Sequence, residues 1–284
     1  MNTWSRFIGA KSSIIAIAFG LSTGAAFAAA TANDTASNYS GGGWGTTPPN
    51  DGTGFGSWNV TVDNNNGPPY VGTYLAGSGT GNSGTPIVDG GGNAWGVYAN
   101  GGSGTGEIIL MRPFTTGSSG SASLYNQTLS FELGSGGVGP GQGLLSVEIG
   151  NAFDFQYIGS GVDDFEFNDP STAGDPANTG VDFSELSAGI DVSLMVSGAL
   201  NSTSENYTFT VSPFVGGSPL YSTSGTFDSS SFNTASFNLT DANTTGNGYF
   251  NNLNITPEAA PEPAIAAFLG ISGLGAVLMR RRRK

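Results

Sequence analysis

From Trp58 to Ile255 the chain repeatedly alternates apolar and polar positions with a period of two, in short runs separated by Gly, Ser and Asn. That period belongs to β-strands with one face buried, and the separators are turn residues. The pattern predicts strands at Trp58–Val62, Tyr70–Leu75, Ala94–Ala99, Glu107–Phe114, Thr128–Leu133 and Leu144–Ile149. It continues with Phe153–Ile158, Ile190–Val196, Tyr207–Val211, Leu220–Phe227, Phe232–Leu239 and Gly248–Ile255. No helical period competes over this span, and Asp182–Leu186 reads as one helical turn. Many short strands with frequent turns predict an all-β fold, an antiparallel sandwich or barrel. A parallel β-helix would need a sustained repeat. The one echo, LSFELG at Leu129–Gly134 against LSVEIG at Leu145–Gly150, is explained by two adjacent strands with Leu129, Phe131, Leu133 and Leu145, Val147, Ile149 facing the core.

Composition sharpens this picture. Glycine supplies 47 of 284 residues and charged residues only 10%, with Ser, Thr and Asn in their place, which favours turns and strands over helices. Between Ala29 and Ala260 there is one base, Arg112, against 20 acids, a net of −19. Such a body repels nucleic acid and offers oxygen ligands to hard cations such as Ca²⁺. The absence of Cys and His excludes disulfides, Cys/His zinc sites, thiolate catalysis and His-based triads.

The two ends differ from the body. Arg6 and Lys11 precede an apolar run at Ile14–Leu21, and Ala26-Phe27-Ala28 has the small-x-small form read by signal peptidase. Residues 1–28 are therefore expected to be a signal peptide cut after Ala28. Residues 29–51 are expected to be a loose, Gly-rich lead-in and 52–257 the folded domain. A linker, 258–263, then carries Pro261-Glu262-Pro263. Ala264–Met279 is uncharged and is followed by Arg280, Arg281, Arg282, Arg283 and Lys284. Sixteen helical residues span about 24 Å, nearly the hydrocarbon core, and the basic cluster would stay cytoplasmic.

Pro-Glu-Pro, an apolar helix and a terminal Arg cluster, in that order, resemble the PEP-CTERM sorting signal of Gram-negative surface and matrix proteins. The resemblance implies recognition by an exosortase, separation of body from tail, and residence at the cell surface or in an extracellular matrix. The body, including GNAWGVYANGG, LSFELG and GLLSVEIGNAFDFQYIGSG, resembles a group of PEP-CTERM bodies whose fold is similar to the concanavalin-type jelly roll. That resemblance implies a fold and a location and no activity.

Several residue sets are candidates for chemistry. Glu132 and Glu148 point away from the core on successive strands; if those strands pair, the two acids read either as a couple of the kind a glycosidase uses or as solvated carboxylates that a cation can bridge. The E-x-D-x-x-E strand of laminarinase-type jelly rolls is missing. Asp163, Asp164, Glu166, Asp169 and Asp175 crowd one loop region, readable as a Ca²⁺ site or as solvated surface. Trp95 and Tyr98, with Trp44, Trp58 and Tyr70, are candidates for a sugar-stacking platform or for core. Arg112 is expected to pair with one of the many acids. Three functions follow. The first is a non-enzymatic surface or matrix protein, handled by signal peptidase and exosortase. The second is a lectin-like module binding extracellular polysaccharide, with or without Ca²⁺. The third is a polysaccharide hydrolase.

Overall fold

The computed structural model describes residues 32–39, 51–65, 70–78, 84–100, 105–114, 126–137, 143–158, 164–169, 176–197, 204–228, 236–242 and 246–257. The leader, the Pro-Glu-Pro motif, the apolar tail and the terminal basic cluster fall outside the described residues, as does the expected transmembrane helix. Among the described residues no helix is long and apolar enough to cross a membrane.

The strands are β1 (Ala32–Asp34), β2 (Asn59–Asn65), β3 (Tyr70–Ser78), β4 (Gly84–Thr85), β5 (Asn93–Asn100), β6 (Thr105–Pro113), β7 (Gln127–Gly136) and β8 (Leu144–Ile149). They continue with β9 (Phe153–Ile158), β10 (Asp164–Asn168), β11 (Ala177–Asp182), β12 (Ile190–Ser197), β13 (Ser204–Pro213), β14 (Tyr221–Asp228), β15 (Ser236–Ala242) and β16 (Asn247–Pro257). One short helix, α1 (Phe183–Ala188), lies between β11 and β12. Each run read as a strand from the alternation coincides with a strand over its described residues; of Phe232–Leu239, residues 232–235 lie outside them.

Two sheets form. The larger runs β14-β13-β12-β7-β16-β5-β3-β4, with β1 also on β16, and the smaller runs β11-β10-β9-β8-β15-β6-β2. All pairings are antiparallel except β3 with β4. Apart from that contact, the fold is the antiparallel sandwich that the period of two predicts. Inward side chains of both sheets make one core, including Trp95, Leu129, Phe131, Leu133, Leu145, Val147, Ile149, Phe237 and Phe250. Aromatic rings supply much of it: Phe167 stacks on Phe209 at 3.9 Å between centroids, and Phe155 on Phe165 at 4.6 Å. Such pairs add specificity of packing beyond buried area.

Segments outside the alternation complete the structure. Asp182 caps α1 by accepting from the Ser184 and Glu185 amides, while the Glu185 carboxylate accepts from the Asp182 amide. This reciprocal box fixes where the single helical turn starts. The expectation of a loose lead-in is corrected at residues 32–39. Here β1 pairs with β16, Ala32 opposite Ile255 and Asp34 opposite Leu253, and a 3-10 turn follows at Ala36–Asn38. Ala-Asn-Asp has no apolar alternation, so its strand is dictated by its partners rather than its own pattern.

Candidate functional site

Glu148 and Glu132 define the first question. Their strands do not pair, so the condition for a catalytic couple is not met: β7 lies between β12 and β16 in the larger sheet, and β8 between β9 and β15 in the smaller. Leu129, Phe131, Leu133 and Leu145, Val147, Ile149 do all face the core. Their intervening glutamates therefore stand on opposite outer faces, separated by both sheets, and cannot act as a catalytic couple.

The carboxylate that does face Glu148 is Asp154. The β8–β9 hairpin turns through Gly150 and Asn151, whose φ of 66° and 58° are left-handed, so Gly and Asn suit the positions. That turn sets Glu148 opposite Asp154 and Ser146 opposite Gln156. Glu148, Asp154, Ser146, Asn151, Phe153 and Asn168 line a shallow cleft of about 260 Å³ on the outer face of the smaller sheet. Asn238, across from Glu148 on β15, donates its Nδ2 to Glu148 Oε2 at 3.3 Å. Burial, reinforced by the Glu148 charge and opposed by a hydrogen bond with Ser146, pushes the Asp154 carboxyl up to about 6. Like charges directly opposite on paired strands repel, and a proton on Asp154 relieves that repulsion. The cleft thus offers carboxylate, amide and hydroxyl groups and no cation.

The acidic stretch expected between residues 163 and 175 is divided. Asp163 and Asp175 lie outside the described residues. Asp164 accepts from Asn178 Nδ2 at 2.9 Å, and Asp169 accepts from the Tyr207 hydroxyl at 2.6 Å. Asp164 and Glu166 alternate with buried Phe165 and Phe167 along β10, so part of the expected loop is a strand of the sheet. Among the described residues no three acidic groups converge to hold a metal ion.

The aromatic candidates also separate. Trp95 is corrected to core: it is 0% exposed, stacked on Phe250 at 4.8 Å and edge-on to Trp58 and Tyr39. A ring covered in this way cannot stack on a sugar arriving from solvent. Trp58 is buried as well, and Trp44 lies outside the described residues. Tyr98 is half-buried, 6.0 Å from Tyr74, and remains a surface candidate.

Arg112 finds its acid in Asp34. The Nη2–Oδ2 distance is 2.7 Å and both side chains are 0% exposed. Tyr39 and Trp58 donate to the same carboxylate oxygen at 2.8 and 3.2 Å, and the guanidinium lies over the Phe55 and Trp58 rings at 5.4 and 5.0 Å. Burial pushes Asp34 up and Arg112 down, and each partner's charge opposes the other's shift. A Cβ on Gly52 would meet Asp34 at 2.5 Å and Arg112 at 2.8 Å, so only glycine fits beside the pair.

No family model matches the chain, and no curated protein matches it. Among solved structures it is similar to the botulinum neurotoxin serotype D/C VPI 5993 binding domain, at 11% identity and a TM-score of 0.39, over 80% of this chain and 51% of that one. It is also similar to the lectin UEA-II complexed with galactose, at 7% identity and a TM-score of 0.32, over 66% of this chain and 93% of that one. The chain spans about half the length of the neurotoxin binding domains it matches. Nothing about ligand or activity transfers at this level of likeness.

Proposed function

We propose that this chain is an exported, non-enzymatic protein of the cell surface or extracellular matrix, with a concanavalin-like jelly-roll body sorted through Pro261-Glu262-Pro263. The observation that carries the reading is the order of features along the chain: basic leader and apolar run, acidic β body, Pro-Glu-Pro, uncharged segment, basic terminus. The fold is compatible with it. Ala32 lies opposite Ile255, so the first described strand starts at the end of the sandwich where the last one finishes. A body joined to two membrane-directed segments can then face the membrane with one end and expose the other. The jelly-roll assignment is supported by strands that alternate between sheets, β5 to β6, β6 to β7 and β7 to β8.

A second reading is favoured by the cleft at Glu148 and Asp154. Its carboxylates, amides and hydroxyl match the hydrogen-bonding needs of a polyhydroxylated ligand, so polysaccharide binding on this face would add a lectin-like role. Fractionation of cells producing the full chain tests the first reading: the body should reach the envelope surface or medium, and accumulation in the cytoplasm would overturn it. A glycan array with Ca²⁺ or with EDTA tests the second, with binding weakened in Glu148→Gln as the supporting result.

A further inference from the structure

Residues 32–38 occupy a groove whose polar groups match them one by one. β5 pairs with Asn247–Phe250 of β16, and β1 takes the next stretch of that flank, Leu253–Ile255. On its other edge Asn33 exchanges two backbone hydrogen bonds with Thr53, each 2.9 Å. The Asp34 carboxylate meets Arg112 as described above. The Ala36 amide donates to Asn251 Oδ1 at 3.0 Å, and the Ser37 amide to Asp89 Oδ2 at 2.7 Å. Arg112 and Asn251 are both 0% exposed. With the strand withdrawn, Arg112 would be a cation enclosed by Phe55 and Trp58 with its carboxylate gone, which is strongly unfavourable. A strand that carries an acid at this position restores the larger part of that compensation, with Asp51 adding to it.

The strand that fills it is joined to the rest of the body by residues 40–50, a stretch that includes Gly41, Gly42, Gly43, Gly45, Pro48 and Pro49. Eleven residues reach at most about 40 Å when extended. The contacts that residues 32–38 make are the same whether the groove belongs to their own chain or to another copy.

We propose that the groove formed by β16, Thr53 and Arg112 is a peptide-binding site that also accepts residues 32–38 of a second copy, so that the protein assembles by strand exchange. This deepens the matrix reading above and rests on it. Strand addition of this kind draws affinity from main-chain hydrogen bonds and selectivity from side-chain pockets, and here the pocket is the Arg112 box. Each copy carries one strand and one groove, so two copies can exchange strands reciprocally and close as a dimer, or strands can pass head-to-tail along a growing array. A short tether holds a chain's own strand at an effective concentration in the millimolar range. Exchange between copies competes where the protein is comparably crowded, as in a matrix.

The chain has no cysteine, so an engineered disulfide reports the pairing without interference. Asn33 is opposite Asn254. Because the Asn33 backbone bonds to Thr53, this is a non-hydrogen-bonded pair on the β16 side, the closer of the two antiparallel geometries and one a disulfide can bridge. Full-length Asn33→Cys and Asn254→Cys variants are mixed in detergent over a range of concentrations and oxidised gently. Asn206→Cys mixed with Thr226→Cys, a cross-strand pair of the β13–β14 hairpin, measures random collision. The expected result is a disulfide-linked heterodimer that increases with concentration and exceeds the random-collision control by about tenfold, because strand addition holds the two thiols in register. The doubly substituted Asn33→Cys/Asn254→Cys chain should give a ladder of linked multimers beside the internally closed monomer. No excess over the control, with the double variant closing only internally, would overturn the proposal. Failure of the surface-location reading would appear in cell fractionation and not in this assay, so the two are separable.

Discussion

Arg112 Nη2 lies 2.7 Å from Asp34 Oδ2 with neither side chain exposed, which joins the first described strand, in the larger sheet, to β6, the strand next to the edge of the smaller one. A buried pair of this kind adds little net stability over an apolar replacement, but removing one partner leaves a charge without compensation. Asp34→Ala is therefore expected to cost about 3–5 kcal/mol, more than a surface substitution by far. It also takes the acceptor from Tyr39 and Trp58. Arg112→Met alone should cost a similar amount. Asp34→Ala combined with Arg112→Met should cost much less than the two single losses together. Urea denaturation of all four proteins measures the coupling, and additive costs would show that the pair is not the energetic centre of this box.

The pair at Glu148 and Asp154 predicts an opposite dependence on pH from most carboxylates. An acid whose folded pKa is raised binds its proton more tightly in the folded state. Stability is then lost as pH rises from the unfolded value of 3.8 toward about 6. The loss is at most about 3 kcal/mol, and less with solvent screening in an open cleft. Asp154→Asn should remove this component and also the repulsion from Glu148. The variant should gain melting temperature relative to the parent at pH 7 and lose that advantage at pH 4. Parallel melting curves across this range would show that Asp154 titrates normally.

Glu148 and Asp154 also show what the sequence makes legible. The inward and outward positions of β8 and β9 follow directly from their alternation, and a tight turn at Gly150-Asn151 already sets Glu148 across from Asp154. The similarity of LSFELG and LSVEIG suggests Glu132 as a partner for Glu148 instead, but similarity of pattern does not specify which sheet a strand joins. Sheet membership depends on long-range packing, as when β7 and β16 pair from distant parts of the chain. Asp34 was hidden for a related reason. Ala-Asn-Asp, after an Ala-rich stretch and before a Gly-rich one, has no strand signal of its own, and its place is set by partners far along the chain, β16, Thr53 and Arg112. Phe165 and Phe167 did carry a strand pattern, but the acids around them read more strongly as a loop. Trp95 shows that an aromatic on a regular strand is ambiguous between core and surface until its sheet neighbours are known.

The cap of α1 provides a local test. Asp182 Oδ1 accepts from the Ser184 and Glu185 amides at 2.6 and 3.2 Å, and the Asp182 amide donates to Glu185 Oε2 at 3.0 Å. Replacing Asp182 with Ala should destabilise the protein by about 1 kcal/mol, and Asn or Ser in its place should recover most of the loss. Equal stability for Ala and Asn variants would mean that packing of Leu186, which is fully buried, holds the turn without its cap.

The sorting tail leads to a prediction in which processing and folding separate. β1 begins at Ala32 and β16 ends at Pro257. A cut after Ala28 and a cut at Pro261-Glu262-Pro263 would both fall outside the paired strands, so neither should disturb the sandwich. Protein recovered from the cell envelope is expected to begin at Ala29 or within two residues of it and to lack the apolar tail. Replacing Pro261, Glu262 and Pro263 with Ala should leave the body held in the inner membrane by residues 264–279, because an uncharged run of this length partitions into lipid while the basic terminus resists translocation. The same variant should keep the parent's resistance to protease within residues 32–257, since the substituted residues touch none of the paired strands. N-terminal sequencing, intact mass and membrane fractionation read these outcomes. Release of the triple-alanine variant at the normal rate would refute Pro-Glu-Pro as the signal. Loss of protease resistance on normal processing would refute the independence of body and tail.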